Sequence, residues 1–127
     1  MATLKTNTLT GTSTAGSIAV TGEGNSTTTN LQQGLLKCWG ISNDGANNLD
    51  SFNVGSATDN STGNYTKTFT NNMASTSTSF TGTSSENTYG TIFNSARATS
   101  SITIKCENIS GAALDCVIGY QLAGDLA

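Results

Sequence analysis

SFNVGSATDNSTGNYTKTF, residues 51–69, places apolar side chains at both ends of a middle that is polar or glycine at Ser56 and from Thr58 to Asn64. Phe52 and Val54 lie two apart, and Tyr65, Lys67 and Phe69 repeat that spacing, which is the period of a strand with one buried face. The Asp, Asn, Ser and Gly between them are turn formers, so the stretch reads as a strand, a long turn and a returning strand. A register that opposes Phe52 to Phe69, and Ser56 to Tyr65, keeps an aromatic pair on the buried side. DNSTGN at 59–64 lacks the alternating acidic ligands of a calcium loop, which leaves Asx-type turn bonding as the stronger reading.

The same period extends outward from this hairpin. Upstream, Trp39 and Ile41 share a face, and an Asp44-Gly45 turn sets Trp39 opposite Phe52 and Ile41 opposite Asp50. Downstream, weaker strands are expected around Phe80 and from Tyr89 to Phe93. In SITIKCENISGAALDCVIGYQL, residues 101–122, the pairs Ile102 and Tyr120, Ile104 and Ile118, and Cys106 and Cys116 are all centred on Gly111, which predicts a hairpin with an apolar face. Trp39, Phe52, Phe69 and Tyr120 read as core. Seven short strands with frequent turns predict an all-β antiparallel β-sandwich or jelly-roll-like head over 35–127.

Residues 1–34 have a different character. Up to residue 30 their only large apolar residues are Leu4, Leu9, Ile18 and Val20, with no aromatic, which is too little to build a core. An extended arm is expected, ordered by packing on another chain, with those four residues making the attachment. TNLQQGLLKCWG then suggests one helical turn capped by Thr29 or Asn30, passing into strand near Leu35.

Composition supports the all-β reading and narrows function. Thr, Ser and Asn make up 53 of 127 residues, charged residues are only 10%, and there are 14 Gly and no Pro. Strand edges without Pro must be managed in another way, such as pairing with a neighbouring chain. The net charge is −3, and the five basic residues are scattered, so nucleic-acid binding is not expected. No apolar run approaches the ~18 residues of a membrane helix, and no signal segment opens the chain, so neither membrane insertion nor secretion is expected. Four Asn-x-Ser/Thr triplets, at Asn25, Asn60, Asn64 and Asn108, are what chance gives in such a chain.

Catalytic side chains are sparse. His is absent, so a Ser-His-acid or Cys-His centre cannot form within one chain, and no Ser lies three residues before a Lys. Asp44, Asp50 and Asp59 could meet at one end of a sandwich, but turns and strand ends hold Asp for backbone reasons. Gly22-x-Gly24 is half of a dinucleotide pattern in the wrong context. The three cysteines, Cys38, Cys106 and Cys116, lack zinc spacing; buried thiols are expected, with a Cys106–Cys116 crosslink geometrically open. No enzyme activity, metal or cofactor is expected. A neutral surface rich in amides and hydroxyls suits glycans, and Tyr89 is the aromatic least accounted for by a core.

SIAVTGEGNSTTTNLQQGLLKCW (17–39), DSFNVGSATDNSTGNYTKTFTNNM (50–73) and SITIKCENISGAALDCVIGYQLAGD (101–125) together give the chain a family likeness. It resembles small virion proteins and fibre modules of tailed bacteriophages, especially those of marine bacteria. The departures are Asn64 in place of an acidic residue, Cys38 in place of Ala, and Lys67 in place of a hydrophobic residue. The resemblance implies a non-enzymatic, trimeric, tail fibre-like virion protein, made in the bacterial host cytoplasm, with other capsid or tail proteins as partners. Capsid decoration is one alternative role. A host-glycan adhesin is the other, with Tyr89, Asp59 and Asn60 as contact residues.

Overall fold

Alternation along the strands resolves into two stacked sheets in a computed structural model that describes residues 3–12, 18–22, 27–44, 47–84 and 91–127. The chain divides into two compact units, Met1–Leu35 and Leu36–Ala127. In the first, β1 (Ala19–Thr21) pairs antiparallel with β2 (Thr28–Asn30), and the single turn α1 (Leu31–Gly34) follows directly. The Leu31 amide donates to the Ile18 carbonyl at 2.8 Å, tying the turn back to the hairpin. This part of the arm is therefore a small hairpin and not extended throughout; residues 3–12 carry no helix or strand.

The second unit is an antiparallel β-sandwich. Its strands are β3 (Cys38–Ser42), β4 (Asn48–Phe52), β5 (Val54–Ser61), β6 (Asn64–Phe69), β7 (Ser79–Ser84), β8 (Thr91–Arg97), β9 (Ser101–Glu107) and β10 (Ile118–Ala123). One sheet has the order β4-β3-β10-β7 and the other β5-β6-β9-β8. The core between them is built by Tyr65 and Phe69 of β6, Ile102, Ile104 and Cys106 of β9, and Ile118, Tyr120 and Leu122 of β10, with Cys38, Met73 and Cys116 completing it. These are the apolar positions of strands that alternate buried and half-buried, as a one-sided sheet requires.

Three expectations need correction. The 101–122 segment is not a hairpin: β9 pairs with β6 and β8, whereas β10 pairs with β3 and β7. Ile102 and Tyr120, and likewise Ile104 and Ile118, belong to one core but come from opposite sheets. Period-two alternation reports which side of a strand is buried; it does not distinguish a partner about 5 Å away in the ladder from one about 10 Å away across the core.

The second correction concerns the opening stretch. It does contain a hairpin, β5 with β6, but in a different register: Val54 faces Phe69, Ser56 faces Thr68, and Asp59 faces Tyr65. Phe52 is not on that strand. It ends β4 in the other sheet, and the chain changes sheets at Asn53 (φ 59°), a left-handed conformation that Asn tolerates better than most residues. The buried Asn53 side chain holds this crossing by donating from Nδ2 to the carbonyls of Lys37 (2.9 Å) and Asn71 (3.0 Å), while Oδ1 accepts from the Asn71 amide at 2.7 Å.

The third correction concerns β3. Its register on β4 is as the pattern predicts, with Trp39 opposite Phe52 and Ile41 opposite Asp50. Its face is reversed, however, because Cys38, Gly40 and Ser42 are buried while Ile41 is 45% and Phe52 49% exposed. The inner side is crowded by Tyr120, directly across from Gly40 in the ladder, and a Cβ on Gly40 would lie 2.5 Å from the Tyr120 hydroxyl. Small residues must point inward there, and Trp39 goes out.

Candidate functional site

That reversal creates the most distinctive surface of the sandwich. Across the first sheet, Phe52, Trp39, Gln121 and Thr81 are successive register partners, and Asp50, Ile41, Gly119 and Thr83 form the neighbouring row. Neighbouring strands stand about 4.8 Å apart, so an indole, an amide and a hydroxyl lie side by side on one flat face. Trp39, Ile41 and Leu36 on one side and Thr81, Thr83 and Gln121 on the other line an open groove of about 510 Å³. Gly119 leaves its floor low, since a Cβ there would sit 3.2 Å from Thr83 Oγ1.

Among the described residues the groove lining carries no charged side chain; the nearest in the ladder is Asp50, whose Oδ1 accepts from the Ser51 amide at 2.8 Å. A half-buried indole flanked by an amide and hydroxyls can stack on the C–H face of a sugar ring while hydrogen-bonding its hydroxyls.

The residues singled out by sequence are scattered. Leu4, Leu9 and Val20 are 79%, 54% and 51% exposed, and Ile18 is half-buried beside the arm hairpin. Asp59 and Asn60 are exposed on β5, where Asn60 Nδ2 donates to Thr66 Oγ1 at 2.9 Å within the hairpin. Tyr89 lies outside the described residues. Of the three aspartates, Asp50 belongs to β4 in the first sheet and Asp59 to β5 in the second, and the Asp44 backbone carbonyl lies 3.0 Å from the Tyr65 hydroxyl. Among the described residues no group of three or more His, Cys, Asp or Glu side chains is placed to hold a metal ion.

Two polar features brace the sandwich, one at its exposed margin around Asp115 and one inside it at Lys67. Asp115 Oδ1 accepts from the Gly63 amide at 2.6 Å and from the Tyr65 hydroxyl at 2.7 Å; these two hydrogen bonds hold the Asp115 carboxyl below its usual range. Lys67 is fully buried in β6, with Nζ about 6 Å from the ring centres of Tyr65 and Tyr120 and 3.3 Å from Asn48 Oδ1. Burial pulls its ammonium down to about 8. Both features brace the core, and neither opens onto the groove lining.

Sequence reasoning assigned Trp39 and Phe52 to the core because aromatics are usually buried. The small inward series Cys38, Gly40 and Ser42 was the available signal, since a strand with Gly at its centre leaves room for a large residue from its neighbour. Comparison of the chain with known protein families, with curated proteins and with solved structures finds no match.

Proposed function

We propose that the chain is a non-enzymatic surface structural protein of a tailed-bacteriophage particle, a β-sandwich head anchored by its N-terminal arm and assembled as a homotrimer. The observation that carries this reading is the exposure of Leu4, Leu9 and Val20 in a segment without aromatic residues. Apolar side chains so uncovered gain about 25 cal/mol per Å² when another surface buries them, and a particle or sister arms would supply that surface. The sequence likeness to virion proteins favours the particle. Deleting residues 2–30 should leave a folded head that no longer attaches; attachment that survives the deletion contradicts the reading. Copy number separates the two structural roles, with hundreds of copies per particle meaning capsid decoration and a few to a few tens meaning a tail fibre.

A second reading, host-glycan adhesion, is favoured by the Trp39–Gln121–Thr81 row, whose neutral chemistry suits uncharged sugars. Trp39 is the only tryptophan in the chain, so its fluorescence reports directly on the groove. Titration with neutral glycans that bind on an array should perturb that emission, and Gln121→Ala should weaken the binding. An array with no hits removes this reading and leaves the structural one standing.

A further inference from the structure

Cys106 is the last residue but one of β9 and Cys116 lies two residues before β10, and their sulfurs approach to 2.8 Å, with the Cys116 thiol donating to Cys106. Both are buried, at 1% and 2% exposure. The segment between them is held at several points. The Cys106 amide donates to the Gly63 carbonyl (2.8 Å), and the Leu114 amide donates back to the Cys106 carbonyl (3.1 Å). Asn108 Oδ1 accepts from the Ser110 and Ala112 amides, and Asp115 is fixed by Gly63 and Tyr65. Gly63 is wedged in this junction with φ 63°, where a Cβ would lie 2.5 Å from the Cys106 carbonyl.

We propose that Cys106 and Cys116 are an intrachain crosslinking site, oxidised to a disulfide by a small-molecule disulfide of the glutathione type while the chain folds. In the exchange, one cysteine thiolate attacks the small disulfide and expels one thiolate, and the second cysteine then attacks the mixed disulfide and expels the other. Two protein thiols and one small disulfide become one protein disulfide and two small thiols, so protons and electrons balance. The move from 2.8 Å to the ~2.0 Å of a disulfide is small against a framework already fixed on both sides. Folding is the time at which the reagent has access, because the finished core covers both sulfurs. Burial and the neighbouring Cys116 and Asp115 also push the Cys106 thiol up, so the folded reduced protein should react slowly. Cys38 sits on β3 in the first sheet and is the thiol left over.

The crosslink closes a short loop and acts mainly by restricting the unfolded chain, so it should raise the melting temperature by roughly 10 °C. The test is to fold the full chain from denaturant with glutathione and glutathione disulfide, or with reductant alone, then alkylate under denaturing conditions. Cleavage after Glu107 separates the two cysteines in the reduced chain and leaves the halves joined in the oxidised one. The expected result is a single alkylated cysteine, Cys38, with Cys106 joined to Cys116 and a higher melting temperature that reductant reverses. Cys38→Ala should show the same linkage with no thiol left to alkylate. Three alkylatable thiols after oxidative folding, a linkage that includes Cys38, or a crosslinked form that melts no higher would each overturn the proposal.

Discussion

The inner and outer faces of the first sheet are made by the same strands and carry opposite chemistries. On the inner face, β3 offers only Cys38, Gly40 and Ser42, and the space they leave is taken by the Tyr120 ring. On the outer face, the same strand presents Trp39 and Ile41 beside Phe52. A sheet that needed only a core would place these residues the other way round. The inversion shows that residue size on β3 is set by the room Tyr120 takes inside, and that the aromatics outside are not needed to fill the core.

The largest effect should come from breaking the inner arrangement. Gly40→Ala drives a methyl group into the Tyr120 hydroxyl, in a central strand hydrogen-bonded on both sides, so a loss of about 3 kcal/mol in urea unfolding is expected. A near-neutral result would mean that the ring does not lie over β3.

Lys67 probes the core from the second sheet, and its effect should be smaller and opposite in sign. Lys67→Met removes a buried ammonium and should stabilise the fold by about 2 kcal/mol at pH 7. The pH dependence follows from protons bound. The unfolded chain keeps this proton up to 10.5, whereas the folded chain releases it near 8, so stability rises with pH from about 8. Above about 9 the trend reverses. Burial pushes Cys38 from 9.0 up to about 12, and pushes Tyr65 and Tyr120 up as well, so the folded chain holds protons that the unfolded chain has lost. Lys67→Met should abolish the rise and keep the fall; a wild-type profile flat between pH 8 and 9 would sink this account of Lys67.

Much of the architecture is legible in the pattern of residues. Alternation identifies the inward positions of β6, β9 and β10, and paired alternation identifies the β5–β6 hairpin and the Trp39–Phe52 register. The long-range choices are not legible. Whether Ile104 meets Ile118 within a ladder or across the core depends on where the 108–117 connection leads, and both arrangements bury the same residues. Asn53 looks like any polar residue in a strand, because only its positive φ and its bonds to Lys37 and Asn71 mark the change of sheet. The groove escaped for a related reason: hydrophobicity argues that Trp39 is buried, and only the next residue, Gly40, and its ladder partner Tyr120 argue otherwise.

The central claim, that Trp39 faces outward and does not hold the fold, is tested most directly by urea unfolding of Trp39→Ala. The two-faced sheet predicts a loss of about 1 kcal/mol, as for a half-buried side chain that supports no core neighbour. A loss of about 3–5 kcal/mol, the range for deleting a buried tryptophan, would place Trp39 in the core and contradict it.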